Sequence, residues 1–174
     1  MVFAAPCQEQ DRMVFISSDA SLLTFTGNKV RPQGRNAAGM AGIRLSQGCQ
    51  VVTFAVVPAG EISWTYEETG EDGMSIQAGA VVLTVAGDSE ALPGTENGAA
   101  KLTPLEMYPV KGRGTGGVRS QRFLKGQDTL LLARVGAWPL HASTAAGSPI
   151  ELPDVDMRRD ASGQELAGPI AFVA

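Results

Sequence analysis

Apolar residues arrive in short bursts along this chain and never at helical spacing. The runs MVFIS (13–17), SLLTFT (21–26), QVVTFAVV (50–57), AVVLTVAG (80–87) and TLLLARV (129–135) are rich in Val, Leu, Phe and Thr. Gly, Asn, Asp or Pro bounds most of them, as strands bounded by turns require. No window of helical length carries an apolar stripe at i, i+3, i+4 and i+7. The pattern predicts an all-β fold.

The bursts recur in a larger pattern. Residues 14–57 read as a strand, a Ser-Asp turn and a second strand reaching Lys29; the tract GRNAAGMAGIR (34–44) follows, then Gly48 and a strand. Residues 81–135 read as a strand, a polar turn and KLTP (101–104); the tract GRGTGGVR (112–119) follows, then Gly126 and a strand. Both tracts pair Gly-Arg with Gly-Ile-Arg or Gly-Val-Arg across small residues. A weaker third copy starts at 137 and includes MRRDASG (157–163) and GPIAFV (168–173). Repeats of about 40–55 residues with several strands each mark propeller-like blades. The expectation is one domain over 1–174, with blades of four strands at 1–57, 79–136 and 137–174. Residues 58–78 fit no blade and are expected to form an exposed, mobile acidic insertion, anchored by Trp64 and Tyr66.

Composition narrows the picture. The chain has 174 residues, 44% of them hydrophobic, with 21 Gly and 10 Pro, which suits one turn-rich globular domain. No apolar run is long enough to cross a membrane, and the N-terminus lacks a signal-peptide pattern, so a cytoplasmic location is expected. Cys7 and Cys49 are too few for a disulfide framework and are expected to be reduced, buried thiols. With one histidine, His141, they offer no zinc site. Asp154, Asp156 and Asp160 sit beside prolines and arginines and read as a solvated loop rather than a metal site. Gly112-x-Gly114-x-x-Gly117 matches a dinucleotide fingerprint only literally, because Gly126 interrupts the helix that should follow. No P-loop and no nucleophile–base pair occurs, so no catalytic residue, metal or cofactor is assigned.

Charge placement changes the functional reading more than the net charge of −4 does. Lys29, Arg31, Arg35 and Arg44 lie in a window without acids, and Lys101, Lys111, Arg113, Arg119, Arg122 and Lys125 face the single Glu106. The acids gather elsewhere, notably Glu61, Glu67, Glu68, Glu71 and Asp72. A polyanion responds to this segregation rather than to the sum. Glycines that admit positive φ bring backbone N–H groups near a phosphate, and flanking Arg and Lys add charge-assisted bonds.

The segments GRNAAGMAGIRL (34–45), VVLTVAG (81–87) and ENGAAKLTPLEMYPVKGRGTGGV (96–118) resemble the C-terminal β-pinwheel domain of bacterial type IIA topoisomerase A subunits, those of DNA gyrase and topoisomerase IV. The order Glu96-Asn97-Gly98, Lys101, Thr103-Pro104-Leu105, Tyr108, Gly112-Arg113-Gly114 and Gly117-Val118 carries the likeness. Residues 112–117 fall where gyrases carry a basic DNA-wrapping box, but Thr115 and Gly116 replace a Gly-Lys step, so the box is degenerate. The resemblance implies five or six blades, of which three are present here. It also implies a duplex-DNA-bending, non-catalytic domain of an ATP-dependent enzyme, nucleoid-associated, whose catalytic tyrosine lies in another domain. Its partners would be duplex DNA, the ATPase B subunit, and the catalytic core of its own A subunit; the isolated domain would be monomeric. The candidate DNA contacts are Lys29, Arg31, Arg35, Arg44, Lys101, Lys111, Arg113, Arg119, Arg122 and Lys125. The alternative is a protein-interaction propeller that has lost DNA binding.

Overall fold

The computed structural model describes residues 3–69 and 74–174, and the ladders between its described strands are antiparallel. Glu71 and Asp72 of the acidic segment lie outside the described residues. The first repeat supplies β1 (Arg12–Ser17), β2 (Ser21–Thr26) and β3 (Val51–Val57). The second supplies β6 (Ala80–Gly87), β7 (Ala99–Pro104) and β9 (Thr129–Ala137). Between them lies the ribbon β4 (Thr65–Thr69) and β5 (Met74–Ala78). The third repeat gives β10 (Ala142–Ser143), β11 (Pro149–Ile150) and β13 (Phe172–Val173).

Each of the first two sheets borrows its fourth strand from the next repeat. Strand β8 (Val118–Arg119) pairs with β2, giving the order β3-β1-β2-β8. Strand β12 (Gln164–Glu165) pairs with β7, giving β12-β7-β6-β9. The third sheet has three strands, β11-β10-β13, rather than the expected four.

Burial follows from this stacking. In β1, Val14 and Ile16 point into one core, with Leu22, Val82, Ala86, Leu130 and Val135. Strand β6 is buried along its whole length, because its other face carries Val81, Leu83 and Val85 into a second core with Leu102, Leu140, Ala142 and Ile150. An unbroken apolar run is what a strand covered on both faces needs, whereas β1 alternates. Sheet two is therefore sandwiched between sheets one and three.

Within the expected insertion, residues 65–69 and 74–78 pair as a registered ribbon, Thr65 facing Ala78 and Tyr66 facing Gln77. Trp64 does anchor this segment: its N–H donates to Glu106 Oε2 at 2.8 Å, and its ring meets Trp138 edge-on at 6.1 Å. The thiols are not buried; Cys7 is exposed and Cys49 half-buried, and neither is in a disulfide.

Candidate nucleic-acid interface

The segment that crosses from the second repeat to sheet one carries the second basic window. Val110 bridges to Thr24, and the Lys111 N–H donates to the Thr24 carbonyl at 2.9 Å. The turn that follows is closed by Thr115 Oγ1 donating to the Gly112 carbonyl at 2.7 Å. Gly114 and Gly117 adopt φ of 77° and 75°. At Gly117 a Cβ would stand 2.5 Å from the Leu22 carbonyl oxygen, so only glycine lets the chain turn into β8 there. Ser120 then locks the crossing, its N–H and its hydroxyl donating to the Ala20 carbonyl at 2.7 and 2.8 Å. Nothing in the polar stretch RSQRF marks Ser120 or Gln121 as buried anchors, yet Gln121 Nε2 donates to the Ala99 carbonyl at 2.8 Å.

Arg113 ties the two basic windows together. Its Nε donates to the Lys29 carbonyl at 3.2 Å and its Nη1 to the Ala41 carbonyl at 2.6 Å. Two backbone bonds hold the same contact, Gly114 N–H to Gly42 O at 2.7 Å and Arg44 N–H to Thr115 O at 3.0 Å. Lys29, Arg31, Arg35, Arg44 and Lys111, on the two segments that this junction joins, are exposed. Among the described residues none of the five forms an ion pair. Arg113 itself is half-buried, its guanidinium engaged with main-chain carbonyls. Arg119 and Arg122 are exposed farther along the crossing and share Asp160, at 3.6 and 3.8 Å. Lys125 is exposed on the next turn.

Lys101 is not a surface cation. It is 3% exposed, and its ammonium donates to Thr103 Oγ1 and to the Ser120 carbonyl. Burial pushes its pKa down to about 8, although Asp156 and Asp160 favour the charged form. Tyr108, also buried, aims its hydroxyl at the same Ser120 carbonyl, and burial pushes its phenol well above the ordinary range. A group so enclosed cannot reach a phosphate, so Lys101 leaves the set of candidate contacts and becomes a brace beneath the crossing.

Backbone bonds also correct the repeat alignment. Arg44 N–H bonds Thr115 O as Arg122 N–H bonds Ala161 O, and Cys49 N–H bonds Ser46 O as Gln127 N–H bonds Leu124 O. Arg44 therefore matches Arg122, and Ala41 matches Arg119, three residues away from the alignment that Gly-Ile-Arg and Gly-Val-Arg suggest. In the third repeat Asp156 N–H takes the Leu102 carbonyl as Lys111 N–H takes that of Thr24. An acid thus replaces Lys111, and Arg158 turns back on it with bonds of 3.0 and 2.9 Å. The third turn neutralises itself. Among the described residues no group of three or more His, Cys, Asp or Glu could hold a metal.

Small antiparallel sheets, each completed by a strand from the following repeat, define a propeller-like repeat domain with a basic glycine turn at its crossing. A family model described as the DNA gyrase C-terminal domain, beta-propeller, matches residues 11–58 and 94–135, and the chain belongs to that family. It is 42% identical over 97 residues to the DNA gyrase A subunit of Aeromonas salmonicida, covering 56% of this chain and 7% of that one. It is 28% identical over 153 residues to the DNA gyrase A subunit of Staphylococcus aureus, covering 87% of this chain and 14% of that one. The chain thus spans a small part of these relatives. The C-terminal domain of DNA topoisomerase IV superposes with a TM-score of 0.64 at 16% identity, over 95% of this chain and 46% of that domain. The DNA gyrase A C-terminal domain gives 0.56 at 13%, over 97% and 50%. These structures share the fold.

Proposed function

We propose that this domain binds duplex DNA through phosphate contacts from Lys29, Arg31, Arg35, Arg44 and Lys111, flanked by Arg119, Arg122 and Lys125. One observation supports the reading: Arg113 and its neighbouring backbone bonds tie the two basic windows together, and among the described residues Lys29, Arg31, Arg35, Arg44 and Lys111 form no ion pair. Cations free of acidic partners are available to release counterions from a polyanion, and they carry no base-specific information. Arg113 positions the patch instead of touching the phosphate. Within the complete enzyme the domain would bend or present a DNA segment to the catalytic core, with the B subunit supplying ATP hydrolysis, in the bacterial cytoplasm. The catalytic tyrosine would belong to that core.

Binding to a mixed-sequence duplex measured across a salt series tests this. The slope of log K against log salt should be steeply negative, shrinking by about 0.9 for each phosphate-contacting cation removed. A second reading, a protein-interaction module, is favoured by the self-neutralised third turn and the net charge of −4. Salt-independent or undetectable duplex binding would put that reading first.

A further inference from the structure

We infer that the cleft between sheet two and the third repeat docks a basic segment of a partner protein, which enters it with one bulky apolar side chain. The cleft measures about 390 Å³, within the roughly 300–1,000 Å³ of ordinary binding pockets. Val85 and Leu132 of sheet two and Ile170 of the third repeat line it, and all three belong to or pack against the second core. That core therefore reaches the surface here, at a joint whose two sides the chain itself supplies.

One loop shapes the opening. Strand β6 ends at Gly87 and β7 begins at Ala99, leaving eleven residues between them; β1 ends at Ser17 and β2 begins at Ser21, leaving three. The blade needs only the shorter turn. The longer loop is nonetheless fixed in place. The Ser89 N–H and hydroxyl donate to Asp128 at 2.8 and 2.6 Å, and the Asp88 N–H donates to Glu96 Oε2 at 2.9 Å. The Thr95 N–H and hydroxyl donate to the Leu92 carbonyl at 3.1 and 2.7 Å. These bonds hold Leu92 at the cleft with 74% of its surface exposed, and Leu131 lines the same cleft at 41%. Apolar side chains gathered at an ordered concave site mark an interaction surface, whereas scattered ones do not.

Charge selects the occupant. The charged residues lining the cleft are both acids, Asp88 and Glu96. Glu90 is exposed in the same loop, and the bonds from Ser89 hold the Asp128 carboxyl below its ordinary pKa, so it stays ionised. A field of one sign repels duplex DNA and attracts Lys and Arg. None of the cations proposed for DNA lines the cleft. A peptide segment with an apolar anchor between basic residues satisfies both the apolar wall and the acidic rim.

The probe is a fluorescein-labelled peptide, Gly-Arg-Lys-Phe-Lys-Arg-Gly, titrated into the 174-residue chain, with Ser in place of Phe as the control. The Phe peptide should bind at least about tenfold more tightly than the control and should shift the methyl resonances of Leu92, Leu131 and Ile170. Leu92→Ser should weaken it about tenfold and Glu90→Gln about threefold; both positions are exposed, so the fold should be kept. Equal binding of the two peptides, wild-type binding by Leu92→Ser, shifts confined to other methyls, or no binding at about 1 mM would overturn the docking site. Phenylalaninamide binding as tightly as the Phe peptide would assign the cleft to a small molecule and overturn it too. Leu92→Ser should leave the duplex salt slope unchanged, so these outcomes stand apart from the reading of DNA binding.

Discussion

Gly117 and Gly126 both hold left-handed backbone, at φ of 75° and 87°, but only Gly117 faces a carbonyl where a methyl group would go. Gly126→Ala tests backbone strain alone, and Gly117→Ala adds a clash with Leu22. Thermal denaturation should show Gly117→Ala losing about 1–3 kcal/mol and Gly126→Ala less. Lys101 makes a second prediction at this scale, because its folded pKa of about 8 lies below its ordinary value. Between about pH 8 and pH 10 the unfolded chain holds more protons at this site than the folded one, so stability should rise with pH. Above about pH 10 the trend should reverse, since an unfolded tyrosine ionises there while buried Tyr108 stays neutral. Denaturant midpoints from pH 7.5 to 11 check this, and Lys101→Met should abolish the rise. Sequence alone places Lys101 on the surface because lysine is rarely buried. The counter-signal is its position among Ala99, Ala100 and Leu102 in a strand buried throughout.

At the scale of elements, the Arg113 turn and the 65–78 ribbon separate two kinds of role. Arg113 commits its donors to the Lys29 and Ala41 carbonyls, so Arg113→Ala should weaken duplex binding while leaving the salt slope nearly unchanged. Lys29→Ala, Arg44→Ala and Lys111→Ala should each flatten that slope by about 0.9. Fluorescence anisotropy at four or five salt concentrations distinguishes the patterns, and a full unit lost with Arg113→Ala would make it a phosphate contact. In the ribbon, Thr65 lies opposite Ala78, so excising 66–77 and rejoining the ends leaves Trp64 in its core. The excised protein should unfold in one transition at nearly the wild-type temperature. Strands β1, β2, β3, β6 and β9 are legible as apolar bursts, but the ribbon is not, because Tyr-Glu-Glu and Ser-Ile-Gln offer little to bury. The repeat register eludes the sequence for a related reason. Gly42-Ile43-Arg44 looks like Gly117-Val118-Arg119, whereas alignment rests on main-chain bonds that side-chain likeness does not report.

For the whole molecule, the sequence shows repeats but not which sheet each strand joins. A two-residue strand such as Val118–Arg119 carries no periodicity, and its partner was written almost a hundred residues earlier. The handing back of strands also bears on how such a chain is made. Sheet one is synthesised first, yet its edge at Ser21 and Leu22 stays open until Val118 and Arg119 have left the ribosome. Sheet two waits in the same way for Gln164 and Glu165. A nascent chain stalled anywhere before residue 118 therefore exposes an unfinished edge, which a chaperone or another nascent chain could cover. Slower synthesis across that interval lengthens the time for which the edge stands open.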